Sequence, residues 1–185
     1  MALTTLDATS ALVVIDLQKG IVGLPTVHPI AGVIERAATL AAAFRRRGLP
    51  VVLVNVTGGA PGRVEAARTA LAPAPDWAEL VAELRPEPGD AIVTKRTWGA
   101  FHGTSLDADL RARGVTQIFL AGVATSIGVE STARSAYERG YNVVLVTDAM
   151  TDRDAGAHQN SVERIFPRLG ETTTTDAVLD ILGEG

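Results

Sequence analysis

Short runs of branched aliphatic residues recur along this chain, each followed by a stretch with helical spacing. That alternation restricts the fold to a parallel sheet covered on both faces. Runs such as Leu12-Val13-Val14-Ile15 and Val51-Val52-Leu53-Val54 show no polar alternation, so neither face of the strand they form can meet water. The pattern predicts strands near Ala11–Asp16, Pro50–Val56, Ala91–Thr94, Gln117–Ala121 and Asn142–Thr147, with a short last strand near Glu171–Thr173. Helices are expected over Ala31–Arg47, Trp77–Glu83, Ser105–Arg113, Ser126–Arg139, Gly156–Arg168 and Asp176–Leu182. Several should end at Gly48, Gly114, Gly140 or Gly170, since glycine readily takes the left-handed exit of a helix. The fold class that follows is a three-layer α/β/α, Rossmann-like domain with a mainly parallel, doubly wound, six-stranded sheet. A single domain is expected over residues 1–185, without internal repeat or linker. Thr57–Asp76, with Gly58, Gly59, Pro61, Gly62 and then Ala-Pro-Ala-Pro, reads as an excursion from the carboxyl end of the second strand.

Composition narrows the classes of function. A chain of 185 residues with 46% hydrophobic content can bury a sizeable core. Seventeen basic against 21 acidic residues, with no basic run, argue against a nucleic-acid surface. No charged leader with an apolar core opens the chain, and no apolar run reaches the about 20 residues of a membrane span, so a cytoplasmic protein without membrane partners is expected. There is no cysteine, so thiolate catalysis is excluded.

In open parallel sheets, ligands sit beyond the carboxyl ends of the strands. Asp16 ends the first predicted strand, Lys95 ends the third, and Thr125–Gly128 forms an elbow between the fourth strand and the helix after it. A carboxyl closing an apolar run is partly desolvated, which raises its pKa, while a nearby ammonium pulls it back. From position alone, Asp16 can equally be a turn cap and Lys95 a solvated strand end. Thr125 and Ser126 can cap the helix of the elbow, and its first turn is positively polarised. Asp148, after the fifth strand, reads as a cap of the following turn.

Three segments, in order, resemble the isochorismatase-like hydrolases, or cysteine hydrolase superfamily. In ALVVIDLQKGIV, Asp16 matches the acid/base aspartate of that family and Gln18 follows it. In IVTKRTWGAFHGTSLDADLRARGV, Lys95 matches the active-site lysine. In AGVATSIGVESTARSAYERGYNVVLVTDAMTD, Gly128 falls where the family carries its catalytic cysteine, and the Val123–Ala124 junction matches a cis peptide of relatives. The resemblance implies an isochorismatase-like fold, a hydrolase, and assembly as a homodimer or homotetramer; the helix over Ser126–Arg139, with Ala133, Ala136 and Tyr137 on one side, is a candidate contact surface. Amidases of the superfamily, such as nicotinamidases, need the cysteine; true isochorismatases have dispensed with it.

With glycine at 128, vinyl-ether hydrolysis fits better than acyl-enzyme chemistry, because it needs an acid and a water but no nucleophilic side chain. Asp16 would then donate the proton, Lys95 would orient it and neutralise a substrate carboxylate, and the elbow amides would bind substrate oxygen. Gln18, Arg63, Trp98, Phe101, Ala124, Thr125 and Ile127 are the candidate substrate-binding residues, with Trp77 a further possible pocket wall and Arg96 a second cation. Core packing explains the aromatics equally well. A non-catalytic binding or regulatory protein, or a hydrolase of another small carbonyl or imine substrate, stays open. No cofactor is expected, and no metal: His28, His102 and His158 are far apart in sequence and form no ligand motif, and VNVTGGAPG lacks the nicotinamidase metal motif.

Overall fold

A computed structural model describes residues 3–65 and 74–184 of the chain. The middle of the excursion after the second strand, 66–73, lies outside the described residues. Six strands, β1 (Ser10–Ile15), β2 (Val51–Val56), β3 (Ala91–Lys95), β4 (Gln117–Val123), β5 (Asn142–Thr151) and β6 (Glu171–Thr173), form one sheet in the order β3-β2-β1-β4-β5-β6. Every neighbouring pair is parallel. The winding direction reverses between β1 and β4, and the crevice above such a reversal is where open α/β sheets hold ligands.

Alternation along β1 splits the core in two. Leu12 and Val14 face a layer built by α2 (Ile30–Arg46) and α6 (Thr175–Leu182), where Phe44 meets Phe119 edge-on. Ala11, Val13 and Ile15 face the opposite layer, built by α3 (Leu106–Ala112), α4 (Glu130–Glu138) and Phe166. Every residue of β1 and β4 is buried, as a strand with no polar alternation requires. Among the described residues no helix is long and apolar enough to cross a membrane.

Departures from the sequence expectations have local causes. The span 77–83 is not a helix; only Ala82–Leu84 makes a 3-10 turn. The backbone groups a helix would use are taken by the segment after β1: Val81 N–H donates to Leu17 O, Lys19 N–H to Glu79 O and Gly20 N–H to Trp77 O. Leu80 bridges Gln18 in the same way. A short helix, α1 (Lys19–Val22), forms where none was expected. The expected helix over 156–168 is α5 (Ala155–Asn160), a π-helical turn (Ser161–Ile165) and a 3-10 turn (Phe166–Arg168) in succession. Gly48, Gly114 and Gly140 take the left-handed conformation at helix exits, whereas Gly170 does not. Its need is steric, since a Cβ there would stand 2.0 Å from Val143 O. Ala133 and Ala136 are fully buried against the sheet and cannot serve a subunit contact, while Tyr137 is exposed. β5 runs past its expected end at 147: β4 advances from Leu120 to Gly122 while β5 advances from Leu145 to Met150, a bulge that carries β5 to Thr151.

Gly122 sits at that irregularity with φ +116°, and a Cβ there would lie 2.0 Å from Ile15 O. Gly122→Ala should lower stability by roughly 3 kcal/mol or more, combining backbone strain with overpacking of β1 against β4. Urea unfolding followed by circular dichroism measures it.

Candidate active site

β1 delivers Asp16 to the carboxyl rim in a left-handed conformation, φ +53°, which an aspartate tolerates far better than a branched residue. Its backbone is pinned by Asp16 N–H donating to Val54 O and Gln18 N–H donating to Asp16 O, both at 2.9 Å. Asp16 is buried. On β3, the strand alternation that buries Val93 also turns Lys95 inward, and Lys95 is 2% exposed. Its Nζ donates to Asp16 Oδ2 at 2.7 Å and to Trp98 O at 2.7 Å. Asp16 Oδ1 is buried with no hydrogen-bond partner among the described residues. Burial lifts the Asp16 carboxyl to about 6, with the Lys95 ammonium pulling it part of the way back.

β4 passes through a cis peptide between Val123 and Ala124 into a π-helical turn (Thr125–Val129) that continues as α4. Neither Thr125 nor Ser126 caps this helix with its own side chain. Asp152 does so from the tip of β5, its Oδ2 accepting from Ser126 N–H at 2.7 Å while Oδ1 accepts from Arg153 N–H at 2.7 Å. Thr125 is buried and its hydroxyl meets His158 Nδ1 at 2.9 Å. His28 lies edge-on to His158, ring centroids 4.7 Å apart, so two histidines that are distant in the sequence are neighbours behind the elbow. Burial holds His158 below its ordinary pKa, and His28 adds to that effect. The N–H groups of Ile127 and Val129 both donate to Ala124 O. With Ser126 N–H on Asp152, three amides of the elbow are engaged within the protein, which removes them as donors to a substrate oxygen. Asp148 caps α6 instead of its own turn, accepting from Thr175 N–H at 2.8 Å.

Above these groups lies a cavity of about 260 Å³, near the lower end of the roughly 300–1,000 Å³ usual for ligand pockets. Asp16, Lys95, Gly128, Ala124, Ile127 and Trp98 line it, as do Trp77 and Arg153. A Cβ on Gly128 would stand 3.2 Å from Asp16 Oδ2, so any side chain at this position would press on the acid. Trp77 reaches the cavity because Gly20 has no side chain: a Cβ there would overlap the indole at 1.9 Å.

Four expected substrate contacts lie elsewhere. Gln18 is fully buried and ties β2 to the following loop, accepting from Val56 N–H and donating to Val56 O and Trp77 O. Phe101 packs in the core beside Tyr141, with Arg139 over its ring. Thr125 faces His158, as above. Arg63 is exposed in the loop after β2 and does not line the cavity, and Arg96 packs on Gly58 at 3.6 Å from where a Cβ would stand. Asp152 and Arg153 went unmarked in the sequence reading; their one signal is their place directly after the fifth strand, on the same rim as Asp16. Among the described residues, no three His, Asp or Glu side chains converge as a metal set.

A buried acid and ammonium at the switch point of a doubly wound sheet, over a small apolar cavity, define an α/β enzyme of small-molecule chemistry. The isochorismatase domain matches residues 10–177, and the chain belongs to this family of hydrolases. It is 43% identical over 184 residues to the uncharacterized isochorismatase family protein YecD of Escherichia coli O157:H7, covering 94% of this chain and 96% of that one. It is 31% identical over 198 residues to the ureidoacrylate amidohydrolase RutB of Variovorax paradoxus, covering 90% and 79%. The solved structure of an isochorismatase family protein from Burkholderia thailandensis superimposes with a TM-score of 0.93 at 44% identity, covering 97% of this chain and 98% of that one.

Lys95→Met keeps the aliphatic stem but strands the Asp16 charge in the interior, driving its pKa further above 6. A carboxyl raised on folding contributes stability below its unfolded pKa and loses it as pH rises through the folded value. The variant should therefore lose about 3–5 kcal/mol at pH 8 and markedly less at pH 5. Thermal unfolding at the two pH values measures the difference.

Proposed function

We propose that this hydrolase acts by general acid/base catalysis at Asp16 on a small anionic substrate, without a covalent enzyme intermediate. The observation that carries the reading is Asp16 Oδ1: a buried carboxyl oxygen with no hydrogen-bond partner among the described residues, belonging to an acid that lines the cavity and whose pKa is lifted to about 6. The absence of cysteine and the glycine at 128 support a route in which water alone is the nucleophile. In the favoured reaction Asp16 protonates the terminal carbon of an enolpyruvyl ether, as in isochorismate. Water adds to the oxocarbenium ion and returns a proton to Asp16, and the hemiketal collapses to pyruvate and the freed dihydroxy acid. Lys95 holds the Asp16 carboxyl in one orientation through Oδ2, leaving Oδ1, which has no partner among the described residues, as the oxygen to carry the transferred proton.

A second reading is favoured by the same pKa. An acid with a pKa near 6 is largely ionised at neutral pH and can act as a base, drawing a proton from water that attacks a small carbonyl, imine or amide. RutB is an amidohydrolase by name. The single domain is taken as a cytoplasmic homodimer or homotetramer, supported by exposed apolar side chains at Trp98, Ile127 and Tyr137.

Asp16→Asn should lower kcat by about 10²–10⁴-fold. With isochorismate as substrate and pyruvate followed by lactate dehydrogenase, kcat/KM should fall as pH rises through about 6 if Asp16 is the proton donor. A rise through the same pH, with amide or carbamate substrates turned over instead, assigns the base role. Wild-type turnover by Asp16→Asn would exclude both.

A further inference from the structure

We propose that Arg153 is the anion anchor of the cavity, and that the ligand class is a small unsaturated or aromatic molecule carrying a carboxylate, its flat body against Trp77 and Trp98. This rests on reading the cavity as the reaction site, and it changes which cation recognises the substrate. Among the described residues, three ionisable ones line the cavity: Asp16, Lys95 and Arg153. The first two neutralise each other at 2.7 Å, and Lys95 has a second donor committed to Trp98 O. The Arg153 guanidinium has no ion pair or hydrogen bond within the protein among the described residues, so its donors are open to a ligand. A guanidinium meets a carboxylate with two parallel N–H bonds, which gives orientation as well as affinity.

Its placement is fixed by the backbone. Arg153 N–H donates to the buried Asp152 carboxylate, which also holds Ser126 N–H at the elbow and lies 3.4 Å from Asp154 N. The base of the arginine is therefore tied to the wall of the cavity, while the side chain is exposed and able to swing onto a ligand. The engaged elbow amides strengthen the case, because they leave an incoming anion without backbone donors at Ser126, Ile127 and Val129. Apart from these charges and the hydroxyl residues Thr26 and Thr97, the described walls are apolar or aromatic, including Ile21, Leu24, Val56 and Ile127. Trp98 is 63% exposed, which sets its ring at the mouth. Trp77 and Trp98 are the two tryptophans of the chain, so intrinsic fluorescence reports occupancy of this cavity.

The test is a fluorescence titration of the intact protein with benzoate and with benzamide, which share shape but differ in charge. Benzoate should bind the wild type about 10- to 100-fold more tightly than Arg153→Gln, the fold-change expected for one charge-assisted pair, while benzamide binds both equally. Arg153→Lys should recover part of the loss, since it restores the charge but not the fork. Asp16→Asn, inactive under the proposed mechanism, should keep the preference for benzoate, so a failed reaction and a failed anchor give different results. Equal benzoate affinity in wild type and Arg153→Gln overturns the proposal, as does a loss appearing in Arg63→Gln instead, or no response to benzoate at about 10 mM. Circular dichroism of each variant establishes that it is folded.

Discussion

The ion pair between Asp16 and Lys95 organises the carboxyl rim of the sheet. The two residues end β1 and β3, which are not neighbours; β2 lies between them. Strands one place removed are about 10 Å apart, so only a long cationic stem can cross the end of β2 and still reach the carboxylate. Bringing two charges into an apolar interior costs several kcal/mol each before their attraction is counted, and a pair of well-packed apolar residues would serve stability as well. Stability alone therefore gives no reason for the pair. Under the proposed mechanism its effect is chemical: desolvation leaves the acid near the pH where it can both give and take a proton, and the ammonium keeps one of its oxygens in place while the other has no partner among the described residues.

The rest of the site is fastened to that pair from a distance. Gln18, two residues beyond the acid, stitches β2 to the loop bearing Trp77. Asp152, from the far side of the switch point, supplies the cap that the elbow's own Thr125 and Ser126 do not. The hydroxyl of Thr125 is held by His158, which in turn rests on His28. The elbow is thus braced by β5 and the segments on either side of it, and its stiffness comes from tertiary contacts more than from local helix signals.

What was legible in the sequence is what hydrophobicity alone controls. The strands of a sheet buried on both faces leave unmistakable runs, and their ends name Asp16 and Lys95 without knowledge of any relative. Contacts made by backbone groups were not legible: nothing in Trp77–Glu83 as a string reveals that Leu17, Lys19 and Gly20 take its hydrogen bonds. Gln18 and Phe101 have the chemistry of ligand contacts and the right neighbourhood, yet a buried amide finds its partners in β2, and a phenyl ring three residues past Trp98 turns to the core. Arg63 attracted attention because it sits in a glycine-rich loop, whereas Arg153 sits in a segment that reads as a strand end and turn. The difference between them is direction, which spacing does not encode.

The bulge in β5 sets how far that strand reaches. With strict pairing against β4, Thr147 and Asp148 would stand opposite Gly122 and Val123, and Asp152 and Arg153 would fall beyond the rim. Because the extra residues are spent inside the strand, the brace for the elbow and the open guanidinium arrive together at the crevice, on consecutive residues. A change in the length of this one irregularity would displace both groups at once, so the rigidity of the elbow and the charge offered to a ligand are mechanically one property of the fold.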